Sequence, residues 1–381
     1  MNMIIYVVKA GDTLGEIARR YGVTVELLRM DNQIKDPDRL VIGQAILIRT
    51  EHVMEYRNIF ANGFAYPFIT DAVLEETIPY LSELSVFSYG FSPEGELIEP
   101  ELPVDWLLTI AKAYDTAPIL TLTPFGPDGN FSNQLIHQML VNETAKNRLI
   151  SQMEREIQEQ GYGGVNVDFE YILAEDRDRF TQFVQEVTQM VRENGGEVTV
   201  DLAPKISDEQ EGLMYEGKDY QALGQVADRV FVMTYEWGYT YGPPMAVAPI
   251  QKVKQVLDYA VTRMPKDKIT MGIPNYGYDW ELPFVRGETK AKTIGNIEAV
   301  EIALENQATI YFDEVAKTPF FHYVQGNITH EVWFEDARSI LEKYRLLQQY
   351  PLYGLGCWQI QRLFRAMWLL TGADLDAVYI V

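Results

Sequence analysis

The sequence predicts an α/β protein in which a small βααβ module precedes a (β/α)8 TIM barrel, with a small α+β insertion between strands 7 and 8 of the barrel. Three observations support this fold class. From residue 59 onward, apolar β-rich segments alternate with helical ones, which is typical of parallel β/α barrels. The first 50 residues carry a separate pattern of their own. The chain has 381 residues, of which 47% are hydrophobic, so it can bury a large core and still form a second small domain.

The N-terminal module is predicted over residues 3–49 as a strand, two helices and a closing strand. Asp12 or Thr13 is a suitable N-cap for the first helix, and Leu14 begins its apolar face. Gly22 ends that helix where a left-handed residue is needed, and Thr24 opens the second helix. The segment LVIGQAILI then forms the closing strand.

This module resembles the LysM domain in its opening YVVKAGDTL, its YGVT, its Asn32 and its closing GQ-containing segment. The resemblance implies binding of the N-acetylglucosamine of peptidoglycan or chitin, in a shallow groove between residues 11–14 and 30–34. It assigns glycan contacts to five residues: Gly11, Asp12, Thr13, Leu14 and Asn32. The alternative is that Gly11 and Asp12 serve only as turn and cap. Residues 50–58 contain no Pro, Gly or Ser, which favours a short connection and two modules that pack together.

The barrel is predicted over residues 56–381. Its eight strands are expected at residues 59–66, 84–91, 119–125, 164–171, 198–205, 230–236, 269–277 and 352–360. The interval between the last two strands is by far the widest, so it must hold an insertion at about residues 281–340. Its strand-like segments predict a small subdomain that precedes a final helix.

The fourth predicted strand, GVNVDFEYI at residues 164–172, carries polar residues in an apolar setting. Side chains alternate across a strand, so Asn166, Asp168 and Glu170 share one face. Burying ionisable groups without partners costs roughly several kcal/mol, so three polar residues in register require a reason. Catalysis is favoured over the alternative that the acids only cap a helix or pair with Arg.

The pattern GxxNxDxE that ends at Glu170 resembles the DxxDxDxE strand of glycoside hydrolase family 18, the chitinase-like retaining hydrolases. The family places its general acid at the final Glu. The chain departs from the family pattern twice, because Gly163 and Asn166 stand where the first two Asp residues are expected. Asn166 can hydrogen-bond Asp168 but cannot share a proton with it.

Residues that end the predicted strands are polar or aromatic, as expected where a barrel enzyme places its chemistry. They are Tyr66, Tyr89, Glu170, Lys205, Tyr235, Glu236, Tyr276 and Trp358. By resemblance to the MxYD segment of the family, MTYEWG places Tyr235 at the substrate acetamido group and Glu236 where an Asp is usual. The resemblance also places Tyr276 at the cleft and Trp358 at the floor of a sugar subsite. Core packing is the alternative for each aromatic residue; motifs favour a cleft position only for Tyr235 and Trp358.

The resemblance implies a substrate-assisted mechanism, without a metal or an organic cofactor. Glu170 would protonate the glycosidic oxygen while the 2-acetamido oxygen of the substrate attacks the anomeric carbon. Asp168 would hold the acetamido N–H, and Tyr235 would fix the carbonyl oxygen. Because two nearby carboxylates resist joint ionisation, Glu170 is expected to keep its proton near neutral pH.

Composition narrows the class of partner. A net charge of −23 argues against nucleic acid and anionic membranes, and the apolar runs fall short of the ~20 residues needed to span a bilayer. The single cysteine, Cys357, predicts a buried strand position and no internal disulfide, and no metal site is expected. The N-terminus lacks a recognisable signal-peptide pattern. We expect a monomer.

Three hypotheses follow from different classes. The first is a peptidoglycan N-acetylglucosaminidase associated with spore coat, cortex or cell wall, since the module combination is similar to cortical-fragment hydrolases of spore-forming bacteria. The second is a chitinase. The third is a non-catalytic chitinase-like lectin, which the presence of Glu170 disfavours. Endo and exo action, and tolerance of the muramic δ-lactam, remain open at this level.

Overall fold

The computed structural model describes residues 3–50, 59–125 and 129–381, and it contains three sheets. The strands are β1 (Met3–Val7), β2 (Ala45–Arg49), β3 (Phe60–Ala65), β4 (Glu83–Phe91), β5 (Leu97–Ile98), β6 (Ala117–Leu122), β7 (Gly164–Val167), β8 (Glu197–Leu202), β9 (Arg229–Val232), β10 (Ile269–Pro274), β11 (Gly277–Leu282), β12 (Lys292–Ile294), β13 (Tyr311–Asp313), β14 (Thr318–Gln325), β15 (Ile328–Trp333), β16 (Gly354–Trp358) and β17 (Val378–Ile380). The helices are α1 (Leu14–Tyr21), α2 (Val25–Asp31), α3 (Asp71–Thr77), α4 (Asp105–Ala113), α5 (Asn133–Val141), α6 (Glu143–Gln160), α7 (Arg177–Glu193), α8 (Tyr220–Val226), α9 (Ile250–Arg263), α10 (Asn296–Glu305), α11 (Ala337–Gln349) and α12 (Arg365–Thr371).

The central sheet is a closed barrel of eight parallel strands in the order β3-β16-β10-β9-β8-β7-β6-β4, and β3 pairs with β4 to close it. All eight predicted strands are confirmed. Most of them end earlier than predicted, because the backbone hydrogen bonds between neighbouring strands stop while the alternation of apolar and polar residues continues in the sequence. Strand β7, for example, ends at Val167, so Asp168 and Glu170 lie just beyond its carboxyl end. Such ends form the face where barrel enzymes hold their active sites.

The predicted insertion is also confirmed. It forms a five-stranded sheet in the order β12-β11-β15-β14-β13, covered by α10. This sheet begins at Gly277, somewhat before the predicted start at residue 281. Helix α11 then returns the chain to the last barrel strand, β16, where Cys357 is fully buried as a free thiol.

The N-terminal module has the predicted βααβ order. The Thr13 hydroxyl accepts a hydrogen bond from the Glu16 backbone N–H at 3.2 Å and so caps α1, while Gly22 ends α1 at φ 69°. The Thr24 hydroxyl caps α2 in the same way at 3.1 Å from the Leu27 N–H. One feature was not predicted: the C-terminal strand β17 pairs in parallel with β1, so the end of the barrel chain completes the sheet of the module.

Several hydrogen bonds join the module to the barrel, in agreement with the predicted packing of the two. The Arg338 guanidinium of α11 donates to the Gly43 carbonyl at 3.1 Å, and the Ile310 N–H of the insertion donates to the Ile42 carbonyl at 2.9 Å. The predicted connection falls largely on residues 51–58, which lie outside the described residues, as does the predicted barrel start at residue 56. Among the described helices, none combines the length and apolarity required to cross a membrane.

Candidate active site

A cleft of about 850 Å³ opens at the carboxyl ends of the barrel strands. Residues from most of the strand ends line it, together with residues of the following loops. The lining includes Phe64, Tyr66, Phe87, Phe125, Phe131, Asp168, Glu170, Tyr171, Asp201, Tyr215, Phe231, Tyr235, Glu236, Trp237, Tyr239 and Trp358. The cleft therefore combines an aromatic wall with four carboxyl groups.

Asp168 and Glu170 enter the cleft because of the way the chain leaves β7. The Asp168 N–H still bonds the Leu122 carbonyl at 3.0 Å, so this residue is held at the end of the ladder. Between the two acids, Phe169 points away and is fully buried against Phe180 and Phe183, with ring centroids 5.7 Å apart in both cases. This anchor places both carboxyl groups on the cleft side.

The pKa values of both acids are raised, and burial is the largest cause. Burial, followed by the negative charge of Glu170, raises the pKa of Asp168 to about 8, and Lys218 partly opposes the rise. Burial also raises the pKa of Glu170, again opposed by Lys218. Desolvation, rather than the predicted repulsion between the two carboxylates, is thus the main cause of the raised pKa of Glu170.

The contact predicted for Asn166 is wrong. Asn166 does not bond Asp168: its Nδ2 donates to Oδ1 of Asp201 at 2.6 Å. Asp201 lies on β8, beside β7, and was missed in the sequence although it stands in the alternating segment VTVDLAP. Lys218 was also missed. It is 1% exposed, and its Nζ donates to the Asp201 backbone carbonyl at 2.8 Å. No local pattern marks this lysine.

Tyr235 lies directly after β9, is buried and borders the two acids. Its ring packs against Gly272 on the adjacent strand β10. A Cβ at that position would lie only 2.7 Å from the ring, so a larger residue than glycine would displace it. The Thr234 hydroxyl donates to the Gly272 carbonyl at 2.7 Å and fixes the same turn. Burial and the nearby carboxyls of Asp201 and Asp168 raise the pKa of Tyr235, so its hydroxyl keeps its proton.

Glu236 stands in the cleft with a left-handed backbone, at φ 68°. Its carboxylate accepts hydrogen bonds from the hydroxyls of Tyr276 and Tyr278, the second at 3.0 Å. The surrounding protein desolvates this carboxylate and raises its pKa, which the two hydroxyls partly oppose. Tyr276 therefore supports Glu236 from behind rather than forming the cleft wall, and Tyr278 is a supporting residue that the sequence argument missed.

Trp358 forms the floor of the cleft at the end of β16. Its ring packs edge-on against Phe87, Phe64 and Tyr66, at centroid distances of 4.8, 5.7 and 6.0 Å. Tyr66 in turn stacks on the exposed Phe68 at 5.1 Å. The predicted cleft positions of Trp358 and Tyr66 therefore agree with the structure.

The predicted cleft position of Tyr89 is wrong. Tyr89 is fully buried outside the cleft, where its hydroxyl lies 2.9 Å from both the Tyr162 hydroxyl and the Glu156 carboxylate. The pairing of β4 with β6 shifts between Val86 and Tyr89. An irregularity of this kind inverts the side-chain alternation, so Phe87 takes the cleft position instead.

Two of the glycan contacts assigned to the module are also wrong. Leu14 is 0% exposed in the module core. The Asn32 side chain is buried and donates to the Leu28 and Leu47 carbonyls at 2.9 and 2.8 Å, while accepting from the Leu47 N–H at 2.7 Å. These bonds satisfy the amide, so Asn32 holds the fold together.

Gly11 and Thr13 remain exposed, and Asp12 is partly exposed. The Asp12 carboxylate accepts from the Tyr6 hydroxyl and the Lys9 N–H, both at 2.7 Å, and these bonds lower its pKa. Asp12 is thus an ionised turn-forming residue beside an open surface. A glycan contact at these three positions stays a prediction.

Outside the cleft, His137, Glu175 and Asp176 lie close enough together to share an ion. The buried Asp176 carboxylate already pairs with Arg179 at 3.0 Å and with His137 at 2.8 Å. A cation there would have to compete with the guanidinium, so we assign this group no function.

The family becomes clear when the chain is compared with known proteins. The sequence model for "Glycosyl hydrolases family 18" matches residues 121–362, and that for the "LysM domain" matches residues 6–49. The chain belongs to glycoside hydrolase family 18. It is 35% identical to a protein named cortical fragment-lytic enzyme from Bacillus subtilis, over 99% of each chain. This family-18 protein is accordingly a glycoside hydrolase with a module of a type that binds N-acetylglucosamine-containing glycans.

Solved structures agree with this assignment. The crystal structure of the Bacillus cereus spore cortex-lytic enzyme SleL matches with a TM-score of 0.91 and 30% identity, over 100% of this chain and 99% of that one. A chitinase from Chromobacterium violaceum matches with a TM-score of 0.76 and 23% identity, covering 82% of this chain and 98% of the other. At that identity the second match shows a shared fold only.

Proposed function

We propose that this family-18 hydrolase cleaves β-1,4 glycosidic bonds after N-acetylglucosamine in spore-cortex or cell-wall peptidoglycan, by a retaining, substrate-assisted mechanism. The observation that carries the proposal is the arrangement of Glu170 and Asp168 beside Tyr235 in one aromatic cleft. Relatives over nearly the full chain bear cortex-lytic names, which favours peptidoglycan over other N-acetylglucosamine polymers.

Glu170 acts as the general acid. Burial raises its pKa and so favours its protonated form, and it gives this proton to the glycosidic oxygen as the bond to the anomeric carbon breaks. The acetamido oxygen of the same sugar attacks the anomeric carbon and forms an oxazolinium ring. Water then adds to the anomeric carbon, returns a proton to Glu170 and reopens the ring, so the anomeric configuration is retained.

Asp168 and Tyr235 hold the acetamido group during this reaction. Asp168 accepts the acetamido N–H, and as an anion it stabilises the positive charge of the oxazolinium ring. The protonated hydroxyl of Tyr235 donates to the acetamido oxygen and aims it at the anomeric carbon. Glu236, braced by two tyrosine hydroxyls, contacts a sugar hydroxyl, and the faces of Trp358 and Tyr66 stack on the ring.

The exposed surface around Gly11, Asp12 and Thr13 provides the glycan contact of the LysM module. Such a contact holds the enzyme on insoluble glycan and raises the local concentration of cleavable bonds. We further propose that the protein acts as a monomer, associated with the spore or the cell wall.

The test compares Glu170→Gln with the exposed control Glu175→Gln on two substrates, purified cortex fragments and N-acetylglucosamine oligomers. Glu170→Gln should lower turnover by ~10² to 10⁴-fold, because the amide keeps the shape but has no proton to give. Product masses identify which bond is cut. Near wild-type turnover by Glu170→Gln would refute the assignment of the acid. Faster cleavage of the oligomers than of cortex fragments would favour the chitinase alternative.

A further inference from the structure

A cluster of three carboxyl groups and one ammonium group lies at the bottom of the cleft. Asp168, Asp201 and Lys218 are 5%, 2% and 1% exposed, and Glu170 is the most accessible of the four. Glu170 and Asp168 have roles in the proposed reaction. Asp201 and Lys218 have none so far.

The register of the barrel places Asp201 beside Asp168. The parallel strands β7 and β8 pair Asn166 with Thr199 and Val167 with Val200, and the two aspartates come next on their respective strands. Side chains alternate, so both aspartates lie on the inner face together with Asn166. The negative charge of Asp168 therefore acts directly on Asp201 and raises its pKa.

The charges of the cluster do not balance if every group is ionised. Three carboxylates and one ammonium would leave two uncompensated negative charges in a buried site, which is strongly unfavourable. One lysine balances one carboxylate. The charge balance therefore favours a proton on each of the remaining two carboxyl groups. Glu170 holds one of them because it is the acid, so the second is shared between Asp168 and Asp201.

Hydrogen bonds distinguish the two aspartates. The Asn166 amide donates to Oδ1 of Asp201 at 2.6 Å, which leaves Oδ2 as the oxygen that can carry a proton. Oδ1 of Asp168 has no hydrogen-bond partner among the described residues, so it is a free acceptor. In the proposed reaction, Asp168 must be an anion to stabilise the positive charge of the oxazolinium ring.

We infer that Asp201 is the resident proton carrier of this hydrolase, and that it keeps Asp168 ionised during the reaction with Lys218 as the balancing charge. Asp201 is thus a positioning residue: it acts through Asp168 and does not touch the sugar. Its proton stays in place while Glu170 gives up and recovers its own proton. The inference rests on the proposed function, because it assumes that Asp168 accepts the acetamido N–H.

The electrostatic environment of Asp201 is consistent with this role. Burial raises the pKa of Asp201 well above the usual value of 3.8, and the charges of Asp168 and Glu170 add to the rise. The hydrogen bond from the Asn166 amide and the charge of Lys218 oppose only part of it. From the neighbouring strand end, Tyr235 faces the same cluster with a raised pKa and hence no charge. Burial lowers the pKa of Lys218, but the three carboxyl groups offset part of this change.

Matched amide substitutions test which aspartate carries the proton, because an amide copies a protonated carboxyl in shape and can donate one hydrogen bond. Asp201→Asn should lower kcat on cortex fragments far less than Asp168→Asn does, because the amide keeps the shape of the protonated carboxyl. Asp168→Asn should lower kcat by about 10²-fold or more, since a neutral amide cannot stabilise the oxazolinium ring. Asp376→Asn, an exposed substitution of the same type in the C-terminal segment, is the control.

Thermal unfolding gives a second measurement that a merely structural role would not change. A carboxyl whose pKa is raised in the folded protein takes up a proton on folding. Its contribution to the free energy of unfolding is therefore fully present below the unfolded pKa of 3.8, and it is lost as the pH rises toward the higher folded pKa. Asp201→Asn removes this uptake. Its Tm should therefore fall less steeply than the wild-type Tm as the pH rises above 3.8.

The outcomes separate the inference from the proposed function. If Asp201→Asn loses turnover as deeply as Asp168→Asn, fails to fold, or keeps the wild-type pH dependence of Tm, Asp201 is not the proton carrier. Full activity of Glu170→Gln would instead refute the proposed function, whatever the result at Asp201. A loss of turnover much smaller than that of Asp168→Asn, together with a shallower pH dependence of Tm, supports the inference.

Discussion

Deleting residues 1–50 should destabilise the catalytic barrel as well as remove a binding module. Three side chains of the module, Met3, Ile5 and Leu47, belong to the hydrophobic core of the barrel and are 1%, 0% and 0% exposed. Each buried side chain of this size contributes about 1.5–3 kcal/mol, so together they contribute about 5–9 kcal/mol. The total stability of a typical domain is only about 5–15 kcal/mol. Strand β17 would also lose its partner β1.

The assay compares the Tm and the turnover of short soluble fragments for the deletion and for two matched point variants. Leu47→Ala removes a side chain from the barrel core, whereas the neighbouring Ile46→Ala removes one from the separate core of the module. Each change should lower stability by about 2–5 kcal/mol locally. Leu47→Ala should lower the temperature at which soluble turnover is lost more than Ile46→Ala does. A deletion variant with wild-type Tm and turnover would show that the module is an independent attachment.

Three further changes test the site. Substrates whose N-acetyl group at the cleaved sugar is replaced by a free amine should not be hydrolysed, and the products of normal substrates should retain their configuration in NMR; an inverted product would refute substrate assistance. Lys218→Met removes the one cation of the cluster, so the pKa values of Asp168 and Glu170 should rise further. The pH–rate profile should then move to higher pH and kcat should fall. An unchanged profile would contradict the charge balance. Tyr89→Phe should leave KM unchanged and lower the Tm slightly, since within the described part of the chain its hydroxyl bonds Tyr162 and Glu156, outside the cleft. A raised KM would show that Tyr89 does contribute to substrate binding.

The barrel could be predicted from the sequence because each strand is an apolar segment of the right length between helical segments. The positions at which the strands end could not be predicted, because the residues beyond the last hydrogen bond between strands continue the same alternation of apolar and polar side chains. Asp168 and Glu170 follow Val167 in this way. Tyr89 was misplaced for a related reason: a shift in pairing between neighbouring strands leaves no mark on the sequence of either strand.

The parts of the site that escaped prediction depend on contacts between distant segments. Asp201 carried the same signal as Asp168, a carboxylate in an alternating apolar segment, and could have been found by the same argument. Lys218 precedes α8 in a loop, and only the folded chain brings its ammonium group to the backbone carbonyl of Asp201. The three-residue strand β17 is too short to be recognised, and its partner β1 lies at the opposite end of the chain.

The loop that follows Trp358 connects the module to the floor of the cleft. On one side, the Gln361 amide donates to the Tyr66 carbonyl at 3.2 Å. On the other side, Gln33 of the module donates to the Leu363 carbonyl at 3.0 Å and accepts from the Arg365 N–H at 2.8 Å. The loop that follows Trp358 at the floor of the cleft is therefore also a contact between the module and the barrel. These contacts fix the distance between the proposed glycan-binding surface of the module and the cleft. A glycan can therefore bind both sites at once only if it is long enough to span that distance. The proposed advantage of the module should thus apply to long glycan strands and vanish for short fragments.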